Sequence, residues 1–252
     1  IARGRAYKFS HQIGRADIEW PGGNWPVDAI WGKGGELYVV ERSETTNTVP
    51  RVTKMWPGEP GGEEYIKEFG GPVQRIKVAK GQDILSRFAG DGEFLWPTGI
   101  ALDNEERVYV SDDWFNNISI FDQDGHFLSK WGVSGSEPGM LDGPAGIAFD
   151  VEESLYVVDS NNHRIQKFAK DGSLLGGWGE FGTAPGKFHT PWGITIDVND
   201  HVYVADWKNH RVQKFTSDGE FLTQFGSAAP GVGILNHPTP APTNVQTFPH
   251  LY

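Results

Sequence analysis

A repeating pattern of apolar and polar residues covers most of the chain. Each repeat opens with a short apolar run after a proline and continues with a Val-Tyr-Val run. A second alternating run ends in Asp-Gly, and the repeat closes with an aromatic residue and a glycine. Alternation with a period of two is typical of half-buried strands, and Asp-Gly between two such runs indicates a hairpin turn. Each repeat is therefore predicted to form four antiparallel strands.

Three copies of the pattern follow one another at a fixed interval. Their leading prolines are Pro97, Pro144 and Pro191, so each copy begins 47 residues after the previous one. A degenerate copy with a longer interval precedes them. The four predicted repeats span 26–70, 97–132, 144–179 and 191–226. Four strands repeated at this interval are typical of the blades of a β-propeller and not of a helical solenoid.

Two incomplete copies flank the four complete ones. The segment 9–14 resembles the closing strand of a repeat, and His237 begins a further copy that prolines interrupt. Because proline cannot donate a hydrogen bond within a central strand, the last copy, 237–252, is not predicted to form a blade. We predict one all-β propeller domain over 1–252, with four complete blades and a partial one.

The repeats resemble the NHL-repeat family of β-propellers. The resemblance is carried by P-x-G-I-A-x-D, V-Y-V-x-D, N-x-R-[IV]-Q-K-F and D-G in a fixed order, and it extends from Phe9 to about Thr239. NHL propellers usually have six blades. The resemblance therefore implies an incomplete six-bladed ring, and it raises the expectation of self-association through the incomplete blade.

Composition and charge narrow the classes of function. The chain has 33 Asp and Glu residues against 22 Lys and Arg, a formal net charge of −11, and no cysteine. The acidic balance disfavours binding to nucleic acid or anionic membranes, which requires basic surface. The lack of cysteine excludes disulfides, thiolate nucleophiles and Cys-ligated zinc. No apolar run approaches the roughly 20 residues of a membrane helix, and no signal peptide is visible, which leaves the compartment open.

Strand order predicts which loops lie on the same face of the propeller. The first strand of each blade is expected to line the central channel. Two connections then lie at the end of the channel where that strand starts: the loop between the second and third strands, and the crossover to the next blade. We call this end the top face, and loops on one face of a rigid scaffold often bind ligands.

Asp159 and Arg164, like Asp206 and Arg211, are spaced to form an ion pair that braces each loop. The alternative is a ring of carboxylates around the channel mouth.

Residues that break the repeat on the top face are the candidates for ligand binding. They combine large aromatic side chains with a few polar groups, as expected of a site for a peptide, sugar or small organic molecule. The alternative is that the tryptophans only pack between blades. The candidate residues are Trp25, Asp28, Trp96, Thr98, Trp114, Trp192 and Trp207. The function predicted first is a scaffold that binds a protein, peptide or small molecule on its top face.

Two other functions are alternatives. One is a metal-assisted lyase or hydrolase in the channel, because the resemblance extends to peptidyl-hydroxyglycine lyases, which hold zinc with channel histidines. Here the inner-strand starts carry histidine only at His237, so Asp28 and His237 are the candidate metal ligands, and calcium is the cofactor that suits carboxylate and carbonyl oxygens. The other is RNA binding through top-face cations such as Arg42 and Lys208, which neighbouring acidic residues disfavour.

Overall fold

The structure is a computed structural model, and it is built almost entirely of β-strands. The residues that it describes are 26–42, 50–57, 64–72, 75–78, 82–85 and 90–226. They form twenty strands and one short 3₁₀ helix, Trp207–Asn209. In this part of the chain no helix is long and apolar enough to cross a membrane. The prediction of an all-β fold is confirmed.

Each of the four complete repeats forms one blade of four antiparallel strands, paired in chain order. Blade 1 contains β1 (Pro26–Trp31), β2 (Leu37–Glu41), β3 (Arg51–Trp56) and β4 (Glu64–Phe69). Before blade 2 come the short strands β5 (Gly71–Pro72), β6 (Arg75–Val78), β7 (Gln82–Leu85) and β8 (Glu93–Phe94). Blade 2 contains β9 (Pro97–Leu102), β10 (Val108–Asp112), β11 (Asn117–Phe121) and β12 (Phe127–Trp131). Blade 3 contains β13 (Pro144–Phe149), β14 (Leu155–Asp159), β15 (Arg164–Phe168) and β16 (Leu174–Trp178). Blade 4 contains β17 (Pro191–Ile196), β18 (Val202–Asp206), β19 (Arg211–Phe215) and β20 (Phe221–Phe225).

The blades are arranged as in a propeller, with the inner strands β1, β9, β13 and β17 side by side in that order. The predicted closing strand 9–14 and the interrupted copy 237–252 lie outside the described residues. The partial blade, the incomplete six-bladed ring and self-association therefore stay predictions.

Strand β10 shows how the hydrophobic pattern places a strand between two neighbouring blades. Val108 and Val110 pack in one apolar cluster with Tyr38 of blade 1. Tyr109, which points to the opposite face, packs with Ile147 of blade 3. Because successive side chains of a strand alternate between faces, one Val-Tyr-Val run supplies the core on both sides of its blade.

The glycine of the Gly-Ile-Ala motif allows neighbouring inner strands to approach closely. A Cβ atom at Gly99 would lie 2.7 Å from the carbonyl oxygen of Ala145, and one at Gly146 would lie 2.9 Å from that of Trp192. Neither distance can accommodate a side chain, so the repeated glycine is a packing requirement between blades. Blade 1 has Asp28 at this position.

The closing aromatic residue of each blade packs on the hairpin turn of the next. A Cβ atom would lie 2.7 Å from the Trp131 ring at Gly172, and 2.5 Å from the Trp178 ring at Gly219. Both glycines also have positive φ, which the Asp-Gly turn requires. The turn signal in the sequence and the contact between blades therefore depend on the same residue.

Candidate ligand-binding site on the top face

The start of each inner strand lies beside the end of the second strand of its blade. Pro144 is paired with Asp159, and Pro191 is paired with Asp206. The crossovers and the loops between second and third strands therefore lie together, as predicted for the top face. The described residues of these loops and crossovers include 42, 90–96, 113–116, 132–143, 160–163, 179–190 and 207–210.

The acidic residue at the end of each second strand is a buried anchor for the top-face loops. In blade 4, Oδ1 of Asp206 accepts a hydrogen bond from the backbone N–H of His189 at 2.8 Å. Its Oδ2 accepts bonds from Arg211 Nε at 2.8 Å and from Asn209 Nδ2 at 2.9 Å. One carboxylate thus joins the crossover, the loop and the third strand.

The other blades contain the same anchor with one variation. Arg164 Nε donates to Asp159 at 2.7 Å, and Arg51 Nε donates to Glu41 at 2.8 Å. Asp112 of blade 2 has no arginine in the equivalent position and accepts four backbone N–H groups instead. All four anchors are at most 2% exposed. The predicted bracing pair is confirmed, and the alternative of a carboxylate ring open to the channel is wrong.

The anchor arginines of blades 3 and 4 hold the crossovers and are not presented to a ligand. The guanidinium of Arg211 donates to the carbonyl oxygens of Thr183, Ala184 and Lys187 at 2.7–3.0 Å. Arg211 is 5% exposed. A guanidinium with this many acceptors fixes loop shape and supplies little charge to the surface.

Two of the predicted ligand-binding residues are buried between inner strands. Asp28 is 5% exposed, and its two oxygens accept the backbone N–H groups of Ala29 at 2.9 Å and Ile100 at 3.0 Å. Thr98 is 1% exposed and donates to the carbonyl oxygen of Pro144 at 2.7 Å. Both side chains link one blade to the next, and their direct contact with a ligand stays a prediction.

The candidate metal site is only partly described. Trp25 and His237 lie outside the described residues, so the proposed pairing of His237 with Asp28 stays a prediction, as does a calcium ion. Within the described ranges, no group of three or more acidic or histidine side chains is arranged to bind a metal ion.

Two of the predicted tryptophans, Trp96 and Trp192, lie beside Arg42, and a third, Trp207, lies beside Trp192. We call these four residues the channel-mouth cluster. The guanidinium carbon of Arg42 lies 4.9 Å from the ring centroid of Trp96 and 5.6 Å from that of Trp192. The Trp192 and Trp207 centroids are 6.3 Å apart. Because these residues come from blades 1, 2 and 4, the cluster spans the channel mouth.

The central role of Arg42 was missed from the sequence, although a signal for it exists. Arg42 directly follows the anchor of its blade, and the equivalent positions are Asp113, Ser160 and Trp207. The anchor is acidic in every blade, whereas the following residue differs each time. Trp114, the remaining predicted residue, lies on the loop that carries Asp113 and is 61% exposed.

Asp113 is the acidic group beside the cluster. Its Oδ2 lies 3.7 Å from Nη2 of Arg42. Burial raises the pKa of Asp113 to about 7, the charge of Arg42 opposes that shift, and the neighbouring Asp112 adds to it. The carboxyl group of Asp113 therefore changes its charge near neutral pH.

We expect Asp113→Asn to stabilise the fold relative to wild type at neutral and higher pH. The folded-state pKa of about 7 is above the ordinary 3.8, so the folded state binds more protons between these values and wild type loses stability as the pH rises through them. Asparagine does not titrate. The advantage of the variant should therefore grow from about pH 4 to about pH 7 and stay constant above. Urea unfolding across this range measures it, and an advantage that is equal at all pH values would contradict the assignment.

A second aromatic group lies on the top face between blades 3 and 4. The ring of Phe181, which is 62% exposed, lies 5.1 Å from those of His163 and His189. Nδ1 of His163 accepts the N–H of Thr190 at 3.1 Å, and burial lowers the pKa of this histidine. His163 therefore braces the next crossover, a role that the sequence pattern did not indicate.

Sequence comparison finds the same repeat elsewhere. The family model described as NHL repeat matches residues 141–168 and 188–215. Protein lin-41 of Caenorhabditis elegans is 50% identical over 42 residues, which are 17% of this chain and 4% of that protein. This chain thus spans a small part of the length of that relative.

Solved structures share the fold at low sequence identity. A structural genomics protein of unknown function from Bacteroides thetaiotaomicron has a TM-score of 0.57 at 19% identity, over 84% of this chain and 52% of that one. A streptogramin B lyase has a TM-score of 0.51 at 15% identity, over 82% of this chain and 70% of that one. These likenesses concern the fold, and the matched segments 141–168 and 188–215 are NHL repeats within blades 3 and 4 of a β-propeller.

Proposed function

We propose that this protein is a binding scaffold that holds an extended peptide segment of a partner protein across the channel mouth. The observation that supports it best is the channel-mouth cluster, where half-buried aromatic rings from different blades surround one arginine. Tryptophan and arginine are the residues that most often dominate protein interfaces, because they supply large contact areas together with polar groups.

The rigidity of the blades supports the same function. The second strands of blades 2 and 3 are fully buried, and the crossovers into blades 3 and 4 are tied to anchors. A mouth held in one shape loses little conformational entropy when a ligand binds, which favours affinity.

The lyase or hydrolase alternative has no specific support in the described residues. The likeness to a streptogramin B lyase is at 15% identity and concerns the fold. Asp28, the described metal-ligand candidate, has both oxygens in hydrogen bonds to backbone N–H groups.

Removing two tryptophans of the cluster should weaken peptide binding without unfolding the protein. A random peptide library displayed on phage is selected against the immobilised full chain, and enriched peptides are then measured against Trp192→Ala/Trp207→Ala. We expect affinity to fall at least about tenfold, which corresponds to roughly 1.4 kcal/mol, because both rings lie at the mouth.

The matched control is Trp31→Ala, which removes a 45% exposed tryptophan at the opposite end of inner strand β1. Binding to this variant should equal wild type. Peptides that lose affinity for Trp31→Ala and keep it for the double variant would place the binding surface elsewhere and contradict the proposal.

A further inference from the structure

The charge of the channel mouth differs from that of the whole protein. The chain has a net charge of −11, but the four anchor carboxylates beneath the top face are buried and bonded to N–H groups or arginines. Among the described residues, the charged groups at the mouth include Arg42, Asp113, Asp142 and Lys208; the ammonium of Lys208 lies 5.6 Å from the centroid of the Trp207 ring. In this part of the molecule, cations therefore stand beside the acidic groups.

Arg42 is held in a fixed orientation. Its Nε donates to the carbonyl oxygen of Pro97 at 2.8 Å, and its guanidinium lies between the rings of Trp96 and Trp192. The ion pair with Asp113, at 3.7 Å, is longer than a hydrogen bond. A planar guanidinium held in one orientation is suited to bind a carboxylate through its Nη groups.

We propose that the peptide bound at the channel mouth is acidic, and that one of its side-chain carboxylates replaces Asp113 as the counter-ion of Arg42. This inference rests on the proposed function and names the chemistry of its ligand. Lys208, beside Trp207, supplies a second positive charge on the blade 4 side of the mouth. Aromatic side chains of the peptide that flank the carboxylate pack on the tryptophan rings.

The number of cations favours an acidic peptide over a nucleic acid. Binding along a phosphate backbone requires a basic groove with several cations, whereas the described mouth offers Arg42 and Lys208 in an acidic protein. A peptide with one or two carboxylates, by contrast, needs only one or two cations.

Protonation of Asp113 links this binding to pH. Burial raises the pKa of Asp113 to about 7; Arg42 opposes the shift and Asp112 adds to it. A ligand carboxylate beside Arg42 neutralises part of the positive charge that lowers the pKa of Asp113, and it adds a negative charge nearby. The pKa of Asp113 therefore rises further on binding, and Asp113 takes up a proton. Affinity should therefore increase as the pH falls from about 8 to about 6, where the ligand's own carboxylates, with pKa values of about 4, stay ionised.

The probe is an end-blocked peptide of alternating Glu and Phe with a neutral fluorescent label, compared with its Gln/Phe counterpart by fluorescence polarisation. Wild type should bind the Glu/Phe peptide at least about fivefold more tightly, a modest value for a partly exposed charge pair. Arg42→Gln should lose this preference and Arg42→Lys should keep part of it. Arg107→Gln, which removes the same charge next to a bottom turn, should keep all of it. Asp113→Asn should abolish the pH dependence.

Several results would overturn the inference. Equal binding of both peptides would exclude carboxylate recognition and leave the scaffold function intact, since the tryptophan variants test that function separately. Binding of neither peptide would also overturn it. A preference that Arg42→Gln retains, or a wild-type affinity that does not change with pH, would remove Arg42 or Asp113 from the site. Tighter binding of a single-stranded ten-nucleotide RNA than of the Glu/Phe peptide, lost in Arg42→Gln, would assign the mouth to nucleic acid.

Discussion

We expect Asp206→Ala to lower the free energy of unfolding by about 3–5 kcal/mol, the usual cost of removing one member of a buried ion pair. The carboxylate of Asp206 is fully buried and accepts hydrogen bonds from Arg211 and from the backbone of His189, both at 2.8 Å. Without it, a guanidinium that is 5% exposed keeps its charge without a counter-ion. The crossover into blade 4 loses one of its attachments, the hydrogen bond from the backbone of His189, at the same time.

Urea unfolding measures this effect, and two further variants separate its causes. Asp206→Asn keeps an acceptor and a similar shape but removes the charge, so it should lie between wild type and Asp206→Ala. Asp218→Ala, in the exposed hairpin turn of the same blade, should change stability by less than about 0.5 kcal/mol. A loss below about 1 kcal/mol for Asp206→Ala would show that the anchor does not hold the loops.

Phe215→Ala should cost about 3–5 kcal/mol, as expected for a large aromatic side chain removed from a close-packed core. Phe215 is 0% exposed. Its ring centroid lies 5.5 Å from those of Trp178 and Phe188 and 6.0 Å from that of Phe221. Because Trp178 belongs to blade 3 and Phe221 to blade 4, the cavity would open between the two blades.

Phe181→Ala is the matched control, since it makes the same change at a ring that is 62% exposed on the crossover into the same blade. Thermal and urea unfolding should show a difference from wild type within about 0.5 kcal/mol. A loss for Phe215→Ala as small as the one expected for Phe181→Ala would mean that the contacts between these two blades contribute little to stability.

The blades could be predicted from the sequence because their signals are local. Strand alternation, Asp-Gly turns and the interval of 47 residues depend on residues close in the chain. The ion pair of the anchor was predictable for the same reason, since Asp206 and Arg211 are direct cross-strand neighbours on β18 and β19.

Contacts between blades were harder to predict, since they join residues far apart in the chain that do not follow the repeat. Asp28 replaces a repeated glycine, which suggested a ligand contact, yet its carboxylate accepts the N–H of Ile100 in the next inner strand. Arg42 contacts Trp96 and Trp192 across the channel mouth, and only the relative orientation of three blades brings those residues together.

The crossovers into blades 3 and 4 are attached to the blades that follow them. In blade 3, Arg164 and Gln166 donate to Met140, and in blade 4, Arg211 and Gln213 donate to Lys187 at the equivalent position. The segment that could be exchanged with its contacts intact is therefore a crossover together with the blade after it. These segments are 132–178 and 179–225, each of 47 residues. A chimaera joined at these closing glycines transfers every loop with its own anchor, whereas one joined at the prolines separates the two.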